Sequence, residues 1–187
     1  MASSRSLGVL FSLLAAVGLS GCAGDQGSPP PLQATASSSV ICKSGQGYQH
    51  TTLGYHLCYP SGWVSRDYTA EPGAGGAVSV VAFGPPAAVP THVPPSGGFT
   101  PPIEVRIVAG PKDQAEGSLA QGNQVTQTKL AGIMADKIVV ADSGPANGAV
   151  LVVFEHQANT FEIEQAPGGT YDTAFQQVLD SFSFPAS

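Results

Sequence analysis

The chain has 187 residues and a formal net charge of −6, with seven Lys and Arg side chains against 13 Asp and Glu. This balance argues against nucleic acid or an anionic membrane surface as the main partner, because both bind clustered basic side chains. Only 11% of the residues are charged, whereas Gly and Pro contribute 23 and 16 residues, so long loops are predicted.

The first part of the chain has the pattern of an export signal. An apolar run, Leu7–Leu19, follows Arg5 and ends in small residues before Cys22. One positive charge, an apolar core and small residues before a cleavage point are typical of a secretory signal. The run is shorter than the about 20 apolar residues that a transmembrane helix needs. The residues Leu-Ser-Gly-Cys at 19–22 resemble the lipobox of bacterial lipoproteins.

That resemblance implies a lipid anchor. In lipobox proteins the cysteine sulfur carries a diacylglycerol, the chain is cut before it, and the new amine receives a further acyl chain such as palmitate. Residues 1–21 are then a signal peptide and Cys22 is the first residue of the mature protein. Two or more acyl chains hold a protein stably on a membrane. We therefore expect a membrane lipoprotein of the cell envelope, facing the periplasmic or extracellular side. An ordinary secretory signal with a chance cysteine is the alternative.

Residues 22–40 are predicted to be the lipidated cysteine and a Pro-, Ser- and Gly-rich tether, and residues 41–187 the folded domain. A flexible tether of this length spans about 20–25 Å. With Cys22 acylated, Cys42 and Cys58 remain, and outside the cytoplasm they are expected to form a disulfide. Such a closed loop stabilises a fold by about 3 kcal/mol. A metal site is the alternative, although zinc usually takes four ligands and no further cysteine is available.

Beyond Cys42 the chain predicts short strands and two helices. Alternating and β-branched segments predict strands over Tyr55–Tyr59, Trp63–Tyr68, Ala77–Phe83, Ile103–Ala109, Val125–Leu130, Ile133–Ala141, Ala149–His156 and Thr160–Gln165. Pro72–Gly76 reads as a loop, and a short helix is predicted over Pro111–Glu116. Trp63, the only tryptophan, is expected to close one end of the core.

The segment 85–102 contains seven prolines, which exclude regular sheet or helix. We expect a solvated insertion here; docking of the polyproline segment to a partner is the alternative.

The strongest helical periodicity lies near the C terminus, with Thr170 as the predicted N-cap. Apolar residues recur there at i, i+3, i+4, i+7, i+8 and i+11, which predicts one helix face packed on a sheet: Tyr171, Ala174, Phe175, Val178, Leu179 and Phe182.

The last predicted hairpin suggests a weak candidate for a cation site. A two-residue turn at Ala158-Asn159 would place Glu155 opposite Glu162, with Glu164 on the same side. Opposed like charges cost about 0.2–1 kcal/mol, which a bound cation would relieve. Exposure to solvent or a different register would relieve it equally, so these glutamates are a minor alternative to the absence of any metal site.

Two separated motifs carry a family resemblance. The strand ending in Tyr-Pro-Ser-Gly-Trp at 59–63 and the helix running into Ser-Phe-Ser-Phe at 181–184 together resemble the PsbP-like fold, which includes the DcrB and LpqN lipoprotein groups. The resemblance covers residues 48–185. It implies an α/β (α+β) domain with a central antiparallel sheet flanked by helices, and a family that mostly binds proteins or stabilises assemblies. A short middle helix, the proline-rich loop and Cys58 depart from the family pattern, so no site residue is carried over.

No catalytic motif accompanies these features. The four histidines are not at metal-ligand spacing, although His50 and His56 could meet across a hairpin near Asp67; a surface or edge position is favoured for each. Neither a Gly-x-Ser-x-Gly elbow nor a Walker-type phosphate loop occurs. We therefore expect a non-enzymatic binding or assembly module without cofactor, with an envelope protein as its partner. A small-molecule or cation-binding lipoprotein associated with transport is the alternative, and a hydrolase is the least favoured class.

Overall fold

The structure, a computed structural model, describes residues 42–94, 99–141 and 144–185. The predicted signal peptide, the lipidated Cys22 and the tether to residue 40 lie outside these ranges, so the predictions on them stay predictions.

A seven-stranded antiparallel sheet dominates the described residues, with strand order β3-β4-β5-β9-β8-β7-β6 and a separate two-stranded hairpin, β1–β2. The strands are β1 Gln46–Gln49, β2 His56–Tyr59, β3 Val64–Asp67, β4 Ser79–Gly84, β5 Ile103–Ala109, β6 Gln124–Leu130, β7 Ile133–Val139, β8 Val150–His156 and β9 Asn159–Gln165. The helices are α1 Lys112–Leu119 and α2 Asp172–Ser181, with a 3-10 turn at Pro72–Ala74. A large antiparallel sheet with few helices confirms the predicted fold class.

The main core lies between one face of the sheet and a cover made of β1–β2 and α2. Strand β5 illustrates the cause: Ile103, Val105 and Ile107 are fully buried on this face, while Glu104 and Arg106 point to the other. The same alternation places further core residues on this face: Val81, Phe83, Val152, Phe154, Phe161 and Ile163.

Helix α2 buries the face that its periodicity predicts, with Ala174, Phe175 and Val178 against the core. The predicted N-cap is wrong, because Tyr171 occupies that position without a side-chain cap. Instead, the Gln165 amide donates to Asp172 Oδ1 over 2.6 Å, which ties the helix start to β9.

Trp63 packs partly buried against the core, as predicted, and its ring meets that of Tyr171 edge-on at 5.7 Å.

The opposite sheet face is covered at its two sides by separate clusters. Beside β4, Val89 of the proline-rich segment is 1% exposed and packs with Tyr68 and Val80. The Tyr68 hydroxyl donates to the Pro90 carbonyl. The described part of this segment is therefore packed on the domain at Val89, Pro101 and Pro102, whereas Pro86, Ala87, Thr91 and His92 are exposed as expected for a solvated insertion. At the other side, Leu119 of α1 packs on apolar residues of β7 and β8: Ile138, Leu151 and Val153.

The turn between β8 and β9 corrects the predicted register. Gln157 and Ala158 form it, both with positive φ, so that Glu155 lies opposite Thr160 rather than Glu162. A slide of two residues leaves each side chain on its expected face, because side chains alternate with period two. The alternating pattern alone therefore could not choose between these registers.

The Cys42–Cys58 disulfide forms, with a Cα–Cα distance of 5.8 Å, which confirms the predicted pairing. It joins the beginning of the described chain to the middle of β2. Neither helix of the described ranges is long and apolar enough to cross a membrane.

Candidate functional site

An open groove of about 1210 Å³ runs between the outer face of the β1–β2 hairpin and α2. Strand β2 directs Leu57 and Tyr59 into the core, so the two residues that alternate with them, His56 and Cys58, line the groove. From α2 come residues that lie outside its buried face, with the spacing i, i+4, i+8 typical of one helix side: Asp172, Gln176 and Asp180.

Two serines fix the distance between the groove walls. Ser181 Oγ accepts a hydrogen bond from the Cys58 N–H over 2.8 Å and donates to the Gln177 carbonyl over 2.7 Å. Ser183 exchanges two backbone hydrogen bonds with His56, of 2.9 and 3.0 Å. Their side chains also meet, with 2.6 Å between Ser183 Oγ and His56 Nε2. The C-terminal segment thus extends the hairpin by one bridge and closes the end of the groove.

The two sequence motifs that carry the family resemblance meet here: β2 belongs to the first motif, and the Ser-Phe-Ser-Phe run at 181–184 belongs to the second. Phe182 lies between the two serines and stacks on Tyr55, with ring centroids 5.3 Å apart and an interplanar angle of 13°. Phe184 stacks on His156 at 3.8 Å. The Ser-Phe-Ser-Phe run therefore alternates between contacts to β2 and ring contacts on the core side, which explains its composition.

The Ser183–His56 pair has the distance of a nucleophile and its base, but lacks the other parts of such a site. An activated serine requires a third group that orients the ring of its base. Within the described ranges, no group forms a hydrogen bond with the second ring nitrogen of His56. The backbone N–H groups of His56 and Ser183 themselves are both used in the bridge. Ser183 also follows the C-terminal end of α2, where carbonyl groups disfavour a developing oxyanion. The geometry favours a structural role for the pair.

Most of the residues that line the groove carry polar side chains, so it offers hydrogen-bonding groups beside apolar surface. Lys43 lies at its rim with Ser44, whose carbonyl accepts from the Gln177 amide over 3.0 Å. Gln176 donates to Asp180 Oδ1 over 2.7 Å, which orders the exposed side of α2. Amide, hydroxyl and carboxylate groups of this kind can pair with the backbone and side chains of another polypeptide.

A second group of charges lies on the opposite face of the sheet, where β5 and β9 pair. Glu104 is opposite Glu164, and Arg106 is opposite Glu162. Arg106 Nε lies 3.1 Å from Glu104 Oε1, and its Nη1 donates to the Ala74 carbonyl over 2.8 Å. Burial raises the pKa of Glu164 to about 7, helped by the charges of Glu104 and Glu162. Burial also raises the pKa of Glu162, against the lowering effect of Arg106.

The weak cation candidate, Glu155 with Glu162 and Glu164, is not assembled. Glu155 accepts a hydrogen bond from the Lys112 N–H over 3.2 Å and thereby binds the first backbone N–H group of α1. Among the described residues, no group of three or more His, Cys, Asp or Glu side chains could hold a metal ion. The positive charge beside the glutamates of β9 comes instead from Arg106, a neighbour that the sequence pattern did not predict.

Sequence reasoning missed an ionic cluster between α1 and β7. Lys112 Nζ bonds Asp136 Oδ2 and lies 3.9 Å from Glu116 Oε1. The hydrogen bond to Asp136 raises the pKa of Lys112, while burial raises the pKa of Glu116. An acidic residue inside the alternating apolar pattern of β7 was the available signal, since a buried carboxylate needs a partner.

His50 and His56 do not form a pair. The Leu53 N–H donates to His50 Nδ1 over 3.2 Å, so the ring proton lies on Nε2, which is 3.2 Å from Ser79 Oγ. Burial lowers the pKa of His50, and the negative charge of Asp67 opposes that effect.

Comparison with known proteins gives likenesses of structure. No protein-family model matches the chain, and no curated protein matches it significantly. The chain is similar to the solution structure of the cyanobacterial PsbP protein CyanoP from Synechocystis sp. PCC 6803, with 16% identity and a TM-score of 0.41, over 83% of this chain and 100% of that one. It is also similar to a crystal structure from Bacteroides thetaiotaomicron VPI-5482, with 12% identity and a TM-score of 0.45, over 77% of this chain and 50% of that one. Neither similarity assigns a function to this chain.

Proposed function

We propose that the protein is a non-enzymatic, lipid-anchored envelope lipoprotein whose PsbP-like domain, similar to the DcrB and LpqN groups, binds a protein partner in the groove beside α2. One observation carries the proposal: an open groove, lined mostly by residues with polar side chains, has walls fixed by the hydrogen bonds of Ser181 and Ser183. Its rim residues, Lys43 and Ser44, directly follow Cys42. The groove therefore lies where the tether from Cys22 is predicted to join the domain.

Fixed walls favour binding because little side-chain and loop freedom is lost when a partner docks. The Cys42–Cys58 disulfide adds to this by holding the rim segment against β2. The exposed residues of α2, such as Gln176 and Asp180, supply the hydrogen-bonding groups typical of the polar part of a protein interface.

Site-specific cross-linking in intact cells tests this proposal. A photoreactive amino acid replaces Gln176 in the groove or, as a matched control, Gln121, an exposed glutamine beyond the end of α1. We expect one envelope protein to be captured from the Gln176 position and not from Gln121, as read by mass spectrometry. Equal capture at both positions, or none at either, contradicts a protein-binding groove.

The anchor is tested separately with Cys22→Ala. We expect this variant to leave the membrane fraction and to lose the cross-linked partner, because the acyl chains hold the protein at the membrane. Retention of Cys22→Ala in the membrane fraction contradicts the lipid anchor but leaves the groove proposal intact.

The second candidate is a small-molecule-binding lipoprotein associated with transport, and the groove volume favours it. Ligand pockets are typically about 300–1,000 Å³, so the groove is large enough to take a metabolite. A thermal-shift screen over metabolites and cations tests it. A shift that is lost when Gln176 is replaced by Arg supports this candidate, whereas a flat screen favours the protein partner.

A further inference from the structure

Strand β6 forms one edge of the seven-stranded sheet. All seven of its residues pair in unbroken register with β7, and no further strand among the described residues meets its other side. Proteins usually protect such an edge with short length, prolines, bulges or several charges. β6 contains none of these except one charge, Lys129.

The opposite edge of the sheet differs in each respect. β3 has four residues, and the exposed Arg66 and Asp67 occupy its end. The unprotected edge of the sheet is therefore at β6.

Exposed apolar side chains accompany this edge. In the described residues, the large apolar side chains most exposed to solvent are Val78, Val125 and Met134. Two of these belong to the β6–β7 hairpin, with 43% of Val125 and 52% of Met134 accessible. Met134 is opposite Lys129, and both share the sheet face of Val125, because the residues of β6 alternate between the two faces.

We propose that β6 pairs antiparallel with β6 of a second copy of this chain, about a two-fold axis at Gln127. Gln127 is the midpoint of Gln124–Leu130, so only this register pairs all seven residues. It places Thr126 opposite Thr128, a favourable cross-strand pair, and Gln127 opposite itself. Because β6 has a single charge, no like charges face one another.

The same register covers the exposed apolar side chains. Lys129 lies opposite Val125 of the second copy and beside Met134 of its own copy. Its aliphatic stem therefore packs between these two apolar side chains and covers them. The two-fold axis repeats this contact, so the interface contains two such groups of Met134, Lys129 and Val125. Paired edges bury less than the about 1,000 Å² of a stable soluble interface, so we expect association at high local concentration.

Disulfide trapping tests the pairing. In the purified full-length protein at high concentration, Gln127→Cys brings two thiols opposite each other at a Cα distance of about 4.5–5.5 Å, within the range of a disulfide. Gln124→Cys on the same exposed strand is the control, since six residues of offset separate its two copies by about 20 Å. Under mild oxidation we expect at least about tenfold more covalent dimer from Gln127→Cys.

Two results overturn the proposal. One is equal dimer formation from both variants, which indicates random collisions. The other is the absence of dimer from Gln127→Cys while that thiol reacts with a maleimide and is therefore accessible. This test does not involve the groove, so its outcome and that of the Gln176 cross-linking are independent.

Discussion

Replacing Glu164 with Gln removes the carboxylate whose environment is the least favourable to a charge. Glu164 is opposite Glu104 on the neighbouring strand, with Glu162 two residues away and Arg106 as the nearby cation. Burial and the two neighbouring carboxylates raise the pKa of Glu164 from 4.5 to about 7. At neutral pH and above, ionisation of Glu164 therefore opposes folding.

The sign and size of the effect on stability follow from the linkage between proton binding and folding. Because the folded-state pKa is above the unfolded value, folded protein binds more protons than unfolded protein between pH 4.5 and about 7. Stability from this group therefore falls as the pH rises through that window. One pH unit between the two pKa values corresponds to about 1.36 kcal/mol, so the difference between 4.5 and about 7 gives about 3.4 kcal/mol as the upper bound. Solvent screening reduces this value, so we expect Glu164→Gln to stabilise the fold by about 1–2 kcal/mol at pH 8.

Urea unfolding at pH 4, 6 and 8, followed by the fluorescence of Trp63, measures this difference. We expect the two proteins to be similar at pH 4 and to diverge as the pH rises, because at pH 4 the wild-type carboxyl is already protonated. Glu155→Gln also removes one glutamate charge, from an exposed side chain of β8 that accepts a hydrogen bond from the Lys112 N–H, so it is the control and should not stabilise the fold at pH 8. Parallel stability curves for wild type and Glu164→Gln, or a loss of stability at pH 8, would refute the reasoning.

Three further predictions concern stability and are read by denaturant unfolding. Cys42→Ser and Cys58→Ser should destabilise the fold to a similar extent, by about 2–4 kcal/mol, because each opens the same covalent loop. Gln157→Asn combined with Ala158→Gly should stabilise by about 0.5–1 kcal/mol, since both positions have positive φ and these residues suit such turns. Ser181→Ala should destabilise by about 1–3 kcal/mol, because it leaves the Cys58 N–H without its acceptor.

Each of these has an outcome that contradicts it. Two free thiols in the oxidised mature protein would exclude the disulfide. A less stable Gln157→Asn, Ala158→Gly variant would show that the turn conformation is wrong. For Ser181→Ala, the exposed serine at position 61 offers a control, since Ser61→Ala removes a hydroxyl at the turn before β3 and should leave stability nearly unchanged. Equal effects of the two serine substitutions would contradict the role of Ser181.

The sequence predicts most of the strands because their residues alternate between a buried and an exposed face. Ile103–Ala109 is predicted to the residue for that reason. Burial alone does not fix register, and the β8–β9 turn lacks the glycine or asparagine that marks such a turn. Its sequence therefore pointed to a turn at Ala158-Asn159 rather than at Gln157-Ala158.

The sites are less predictable than the strands because they depend on which distant segments become neighbours. Arg106 and Glu162 are 56 positions apart in the chain, and only the order β5-β9 brings them together. Likewise, the buried side of the proline-rich segment depends on Val89 reaching Tyr68, a contact that no local pattern encodes. The two segments that form the groove walls could be recognised as sequence motifs, but the sequence did not predict that they contact each other.

The disulfide has a mechanical consequence. Any pull on the chain ahead of Cys42 reaches Cys58 through a covalent bond, bypassing β1 and the turn after it. Cys58 is in turn held by Ser181, and its neighbour Leu57 is fully buried. Force would therefore load the centre of the domain before it could peel β1 from its edge. Reduction would reverse that order, with β1 detaching first while the sheet stays folded.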